Sequence, residues 1–107
     1  MLLKAYSGAV SNTKVAVDGT RCRFSVIDIG NNNAAVSFLQ VFNLASGDVT
    51  VGTTTPLMTI EIPANSGKVI APGCLVDLGG SGFTIAGTTG RANSTAPSTA
   101  LDVNIML

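Results

Sequence analysis

Apolar and polar positions alternate along most of this chain with a period of two, the pattern of strands that bury one face. The alternation is cleanest between Pro56 and Pro63, where Met58, Ile60 and Ile62 point one way and Thr59 and Glu61 the other. It recurs near the C-terminus, with Leu101, Val103 and Ile105 set against Asp102 and Asn104. Near the start, Val15 and Val17 share a face in segment 14–17, and Asp18-Gly19 predicts a turn after them. Segment 20–29 predicts a longer strand. Cys22, Phe24 and Val26 lie on one face, and the apolar phase then moves to Ile27 and Ile29. Such a shift predicts a bulge over 26–28 or burial on both faces. Segment 35–42 is apolar on both sides, with Val36, Phe38 and Phe42 on one and Leu39 and Val41 on the other. That strand is expected to be central, or to meet another subunit with its outer face. No window of about eleven residues carries a helical stripe.

Shorter strands are predicted at 3–6, 68–70, 74–78 and 83–86, with a Thr-rich extended edge or crossing segment at 49–55. Turn chemistry separates them. Gly30-Asn31-Asn32-Asn33 reads as a loop, 64–67 as a turn, Pro72-Gly73 as a stop and Gly79-Gly80-Ser81-Gly82 as a hairpin-type link. Segment 87–99 is poor in apolar residues and predicts a long exposed loop. These elements predict an all-β fold: an antiparallel two-sheet sandwich, jelly-roll-like, of eight to nine short strands. One domain spanning residues 1–107 accounts for the length.

Charge changes the picture most. Only 11% of residues are charged, and six basic side chains cancel six acidic ones. An ordinary soluble domain carries roughly 25%. So weakly charged a surface resists association poorly, which makes better sense if partner subunits cover much of it. Lys4, Lys14, Lys68 and Arg91 are dispersed, and Arg21 and Arg23 form only a local pair on one strand face. That is not the basic stripe nucleic acid requires. Met1-Leu2-Leu3-Lys4 is too short for a signal peptide, and no run approaches a membrane span. Cytoplasmic synthesis without export is therefore expected, and in that compartment Cys22 and Cys74 read as buried thiols rather than a bridge.

Candidate chemistry is sparse. The chain has no His, which removes the usual general base and every Ser-His or Cys-His nucleophile pair. With two Cys alone it cannot build an ordinary zinc site. Asp28, Asp48, Asp77, Asp102 and Glu61 are spread over separate strands and turns, so a paired-carboxylate site is not expected. The glycine loop at 79–82 precedes a strand, whereas a phosphate loop needs a helix behind it. Asn31 to Asn33 beside Asp28 offer oxygens to calcium, but Asn-rich segments are ordinarily turns. Asn93-Ser94-Thr95 is a formal glycosylation sequon, read here as an exposed loop. With no Trp, one Tyr (Tyr6) and four Phe in strand patterns, a carbohydrate-stacking platform is the weaker alternative. No residue is assigned a catalytic, cofactor or metal role.

A further expectation comes from resemblance. Asn31-Asn32-Asn33-Ala34-Ala35, the strand from Val36 to Phe42 (VSFLQVF), Val49 to Pro56 (VTVGTTTP) and Met58 to Ala64 (MTIEIPA) follow one another in order. A late Gly-bounded strand and the closing Asp102 to Ile105 (DVNI) complete the pattern. Together they resemble the small β-sandwich capsid decoration or cement proteins of tailed bacteriophages, cyanophage-like in character. The likeness covers roughly two thirds of the chain, and its motifs mark strands and turns. It implies a non-enzymatic virion subunit, a homotrimer on the outer capsid surface that binds the major capsid protein and clamps neighbouring capsomers. A head-fibre or tail accessory protein is the nearest alternative, and a carbohydrate-binding module the alternative of another class.

Overall fold

The computed structural model describes residues 4–107, all but the first three, with the side chain of Lys4 left aside. The described residues form ten strands: β1 Lys4–Val10, β2 Val15–Asp18, β3 Cys22–Phe24, β4 Val26–Asn31, β5 Ser37–Phe42, β6 Met58–Ile62, β7 Ser66–Ile70, β8 Val76–Gly79, β9 Phe83–Thr88 and β10 Leu101–Met106. The one helical piece among them is a 3-10 turn at Ser46–Asp48.

Five antiparallel pairings are nested: β1 with β10, β2 with β9, β3 with β8, β4 with β7 and β5 with β6. The chain is thus one long ribbon doubled back at the connection between β5 and β6. Two more pairings, β10 with β4 and β9 with β5, roll that ribbon up. The result is two four-stranded sheets, β1-β10-β4-β7 and β2-β9-β5-β6, with β3-β8 as a separate two-stranded piece. This is the jelly-roll solution to closing antiparallel edges.

The core lies between the sheets. Ile27 and Ile29 from β4, Val103 and Ile105 from β10, and Leu39 and Ile85 from the opposite sheet are at most 1% exposed. Cys22 and Phe24 close one end, where the Phe24 ring meets Phe83 at 6.4 Å between centroids. The expected alternations at 58–62 and 101–106 hold, with the odd positions of β10 buried and Asp102 exposed.

Several expectations require correction. The strand count is ten, not eight or nine, because segment 20–29 is two strands. The phase shift is a break at Ser25, whose N–H donates to the Met106 carbonyl at 2.7 Å. Before the break the chain pairs with β8, and after it with β10 and β7. The opening strand runs on to Val10 instead of ending at Tyr6, and Leu3 lies outside the described residues. Segment 49–55 is extended at Val49 but turns over 50–54. The N–H groups of Thr53 and Thr54 both donate to the Thr50 carbonyl, and Gly52 turns at φ 90°. Threonine hydroxyls close such turns locally: Thr54 Oγ1 accepts from the Thr50 N–H at 2.9 Å. Cys74 is exposed and precedes β8 rather than lying buried within an apolar strand.

β5 is central and buried along its whole length. Leu39 and Val41 face the main core. On the other side Phe42 packs with Val49 and Ala86, joined by Leu44 and Val51. The chain's own connection between β5 and β6 therefore covers the outer face, in the place a second subunit would otherwise take.

Candidate functional site

The residues that cover the outer face of the β2-β9-β5-β6 sheet form its most elaborate polar structure. Gln40, fully buried on β5, donates through Nε2 to Thr88 Oγ1 and to the Asn93 carbonyl, both at 2.9 Å. Its Oε1 has no hydrogen-bond partner among the described residues. Arg91 bends back over the same sheet. Its guanidinium sits 5.0 Å from the Phe38 ring centroid and meets Glu61 at 2.9 Å, so one cation straps the loop across β5 and β6. The sequon residue Asn93 organises that loop, its Oδ1 accepting from the N–H groups of Gly90 and Thr95. The expected exposed loop at 87–99 begins only after β9 ends at Thr88; from Thr89 to Thr99 it is mostly exposed, as expected, but its hydrogen bonds tie it down.

A second polar centre sits where β4 ends. Asn31 is fully buried and its Nδ2 donates to the carbonyls of Ala35, Ile62 and Pro63, each at 3.1 Å. Its Oδ1 accepts from the Asn33 N–H and Nδ2 and from Ser37 Oγ. Asn33 in turn bonds both the N–H and the carbonyl of Thr99. What the sequence presents as an Asn loop is a buried clasp joining three connections at one end of the sandwich. A shallow hollow of about 140 Å³ lies beside it, between Val36 and Pro97.

The carboxylates are disposed as follows. Asp77 binds Arg21 through both oxygens, and this pairing, with the Gly79 N–H, holds its carboxyl below the usual range. The N–H and hydroxyl of Thr20 do the same for Asp18. Arg23 approaches Asp18 only to 4.0 Å, and its buried Nε has no hydrogen-bond partner among the described residues. Arg21 and Arg23 are thus matched locally by acids on the β3-β8 piece and its approach. Asp48 is exposed in the 3-10 turn. Asp28 and Asp102, expected to be apart, come onto one face: Asp28 stands opposite Asn104 and Asp102 opposite Gly30. Both are exposed on an open sheet surface rather than in a cleft. Among the described residues no three metal-ligating side chains gather.

Both cysteines are free. Burial pushes the Cys22 thiol up to about 11, with the charges of Asp77 and Asp18 adding to the effect. Cys74 lines a hollow of about 240 Å³ with Ser25, Val26, Ala71, Gly73 and Leu75. The two sheets therefore differ. One is closed over by its own loops, whereas the outer face of β1-β10-β4-β7 stays open and ends at this hollow. The alternation of β10 already carried that signal in Asp102 and Asn104. The two-sided apolar pattern of 35–42 also placed Gln40, between Phe38 and Phe42, on a covered face; nothing in the sequence marked Asn31 as buried.

No family model, no curated protein and no solved structure matches the chain.

Proposed function

We propose that this chain is a non-enzymatic virion structural protein of a tailed phage, a decoration or cement subunit that sits on the outer capsid. In this reading it binds the major capsid protein as a homotrimer, after synthesis in the host cytoplasm, and stabilises the contacts between capsomers. The observation that carries the reading is the asymmetry of the sandwich. One sheet is covered by the chain's own connections and the other presents an uncovered face, an arrangement suited to docking by area. The order of motifs from Asn31 to Ala64 and at Asp102 to Ile105 supports it, as does the low charge of the whole chain. A standard interface buries about 1,600 Å² in total, and repetition over many copies adds avidity. β5 no longer argues for trimerisation, since its second face is covered from within. The exposed apolar side chains Leu57, Val69 and Leu75 still favour a partner.

The carbohydrate-binding alternative gains nothing from the geometry. The Phe24, Phe42 and Phe83 rings lie in the two apolar clusters, and Phe38 lies under Arg91. The test is co-sedimentation of the purified protein with mature heads of the phage that encodes it, stripped of accessory proteins. Saturable binding at a fixed number of copies per capsomer, with greater resistance of the heads to heat, is expected. Heads that leave the protein in the supernatant at micromolar concentration would overturn the reading.

A further inference from the structure

The register defines the outer face of β1-β10-β4-β7 row by row. Ala9, Asp102, Gly30 and Gly67 make one row, Ser7, Asn104, Asp28 and Val69 the next, and Lys4, Met106 and Val26 the last. Both acidic rows are open to solvent, and the face changes character along its length. At one end Asp28 and Asp102 are diagonal neighbours on adjacent strands, about 7 Å apart by sheet geometry. Among the described residues neither forms an ion pair; the three ion pairs present belong to Asp18, Asp77 and Glu61. At the other end Val26 leads into the hollow of about 240 Å³ beside Cys74. Leu75, in its wall, is 51% exposed, and Val69 on the next strand is 61% exposed.

We infer that this face docks an extended segment of a partner protein, one that seats an apolar side chain in the hollow and offers Lys or Arg to Asp28 and Asp102. Charge complementarity selects this occupant. Asp102 accepts only a long hydrogen bond from Asn32 Nδ2, at 3.4 Å, and carboxylates outside any ion pair attract a basic segment and repel an acidic one. Spacing sets the form of the segment. Val26 and Asp28 are alternate residues of one strand, about 7 Å apart, so apolar and basic side chains two positions apart on an extended partner reach both. Gly30 and Gly67 complete the acidic row without side chains, which lets a partner backbone come close there. The inference goes beyond the phage reading: it fixes the chemistry of the partner and holds whether or not that partner is a capsid protein.

The experiment uses the native protein labelled with ¹⁵N and three synthetic heptapeptides: alternating Leu and Lys, alternating Leu and Glu, and alternating Ser and Lys. Amide shifts locate binding. Alkylation of Cys74 by iodoacetamide reports the hollow, since Cys22 is fully buried. The Leu/Lys peptide should shift the amides of Val26, Asp28 and Asp102 and slow alkylation several-fold. The other two should bind about tenfold more weakly, and the double variant Asp28→Asn, Asp102→Asn should weaken the Leu/Lys peptide by about the same factor. Both positions are exposed, so an unchanged denaturation midpoint will show that the variant is folded. Any of four results would overturn the inference: no binding, shifts confined to another face, equal binding of the Leu/Glu peptide, or self-association that protects Cys74 without peptide.

Discussion

Asn31 shows how much one side chain can hold. Replacing it with Ala strands the carbonyls of Ala35, Ile62 and Pro63 and the Asn33 N–H without their partner. Buried polar groups left so cost about 1–3 kcal/mol each, and Asn31→Ala should therefore lower stability by about 3 kcal/mol or more, read from the denaturant midpoint. The two glycines that open the β8–β9 link make a paired test. Gly79 (φ 67°) has open space where a Cβ would stand, whereas a Cβ on Gly80 (φ 76°) would fall 1.9 Å from the Asn43 carbonyl oxygen. Gly79→Ala should cost about 1–2 kcal/mol for the left-handed backbone alone. Gly80→Ala should cost clearly more, because backbone must also move; equal costs would refute the close approach. The paired carboxylates give a pH signature. Asp18 and Asp77 titrate below their ordinary value when folded, so the stability they contribute is present above about pH 4, the unfolded value. It is lost as pH falls through the lower folded values. The urea midpoint should hold between pH 7 and 5 and drop below 4, less so in Asp77→Asn.

At the scale of elements, legibility followed the kind of interaction. Strands that bury one face, such as β6 and β10, were readable because the alternation of Ile60 and Ile62 or of Val103 and Ile105 is itself the cause of the burial. The break at Ser25 was visible as a phase shift, but one sequence cannot tell a bulge from a change of sheet. That distinction depends on Met106, at the far end of the chain, accepting the Ser25 N–H. The cover over β5 was hidden for another reason. Gln40 and Arg91 hold it through carbonyls, a hydroxyl, a ring and a carboxylate, and none of these leaves a hydrophobic period. The Asn31–Asn33 run carried ordinary turn chemistry, and its burial arises only when β6 and segment 97–99 arrive. If Gln40 anchors the cover, Gln40→Leu should cost about 1 kcal/mol, because the Asn93 carbonyl loses its donor while Thr88 Oγ1 keeps its bond to Gly90 and the unpartnered Oε1 is removed as well. Amide exchange should then quicken over 89–99 while β10 and β4 keep their protection. Uniform quickening through both sheets would show that the cover is not a separable unit.

Over the whole molecule, the nested ribbon makes the two ends of the described residues neighbours: Lys4 stands opposite Met106. The last two strands, β9 and β10, are interior members of the two sheets, so neither sheet closes until the C-terminal strands are in place. Such long-range pairing favours slow folding, in milliseconds to seconds. The finished sandwich measures 34 × 29 × 18 Å. It hides one outer face under its own connections and leaves the other bare for a different protein. On this account the protein works by assembling, and the measurement that tests it most directly is the solution mass by light scattering over a wide range of concentrations. The account predicts a stable particle of three times the 10.8 kDa chain mass. A single-chain mass at every concentration would contradict it.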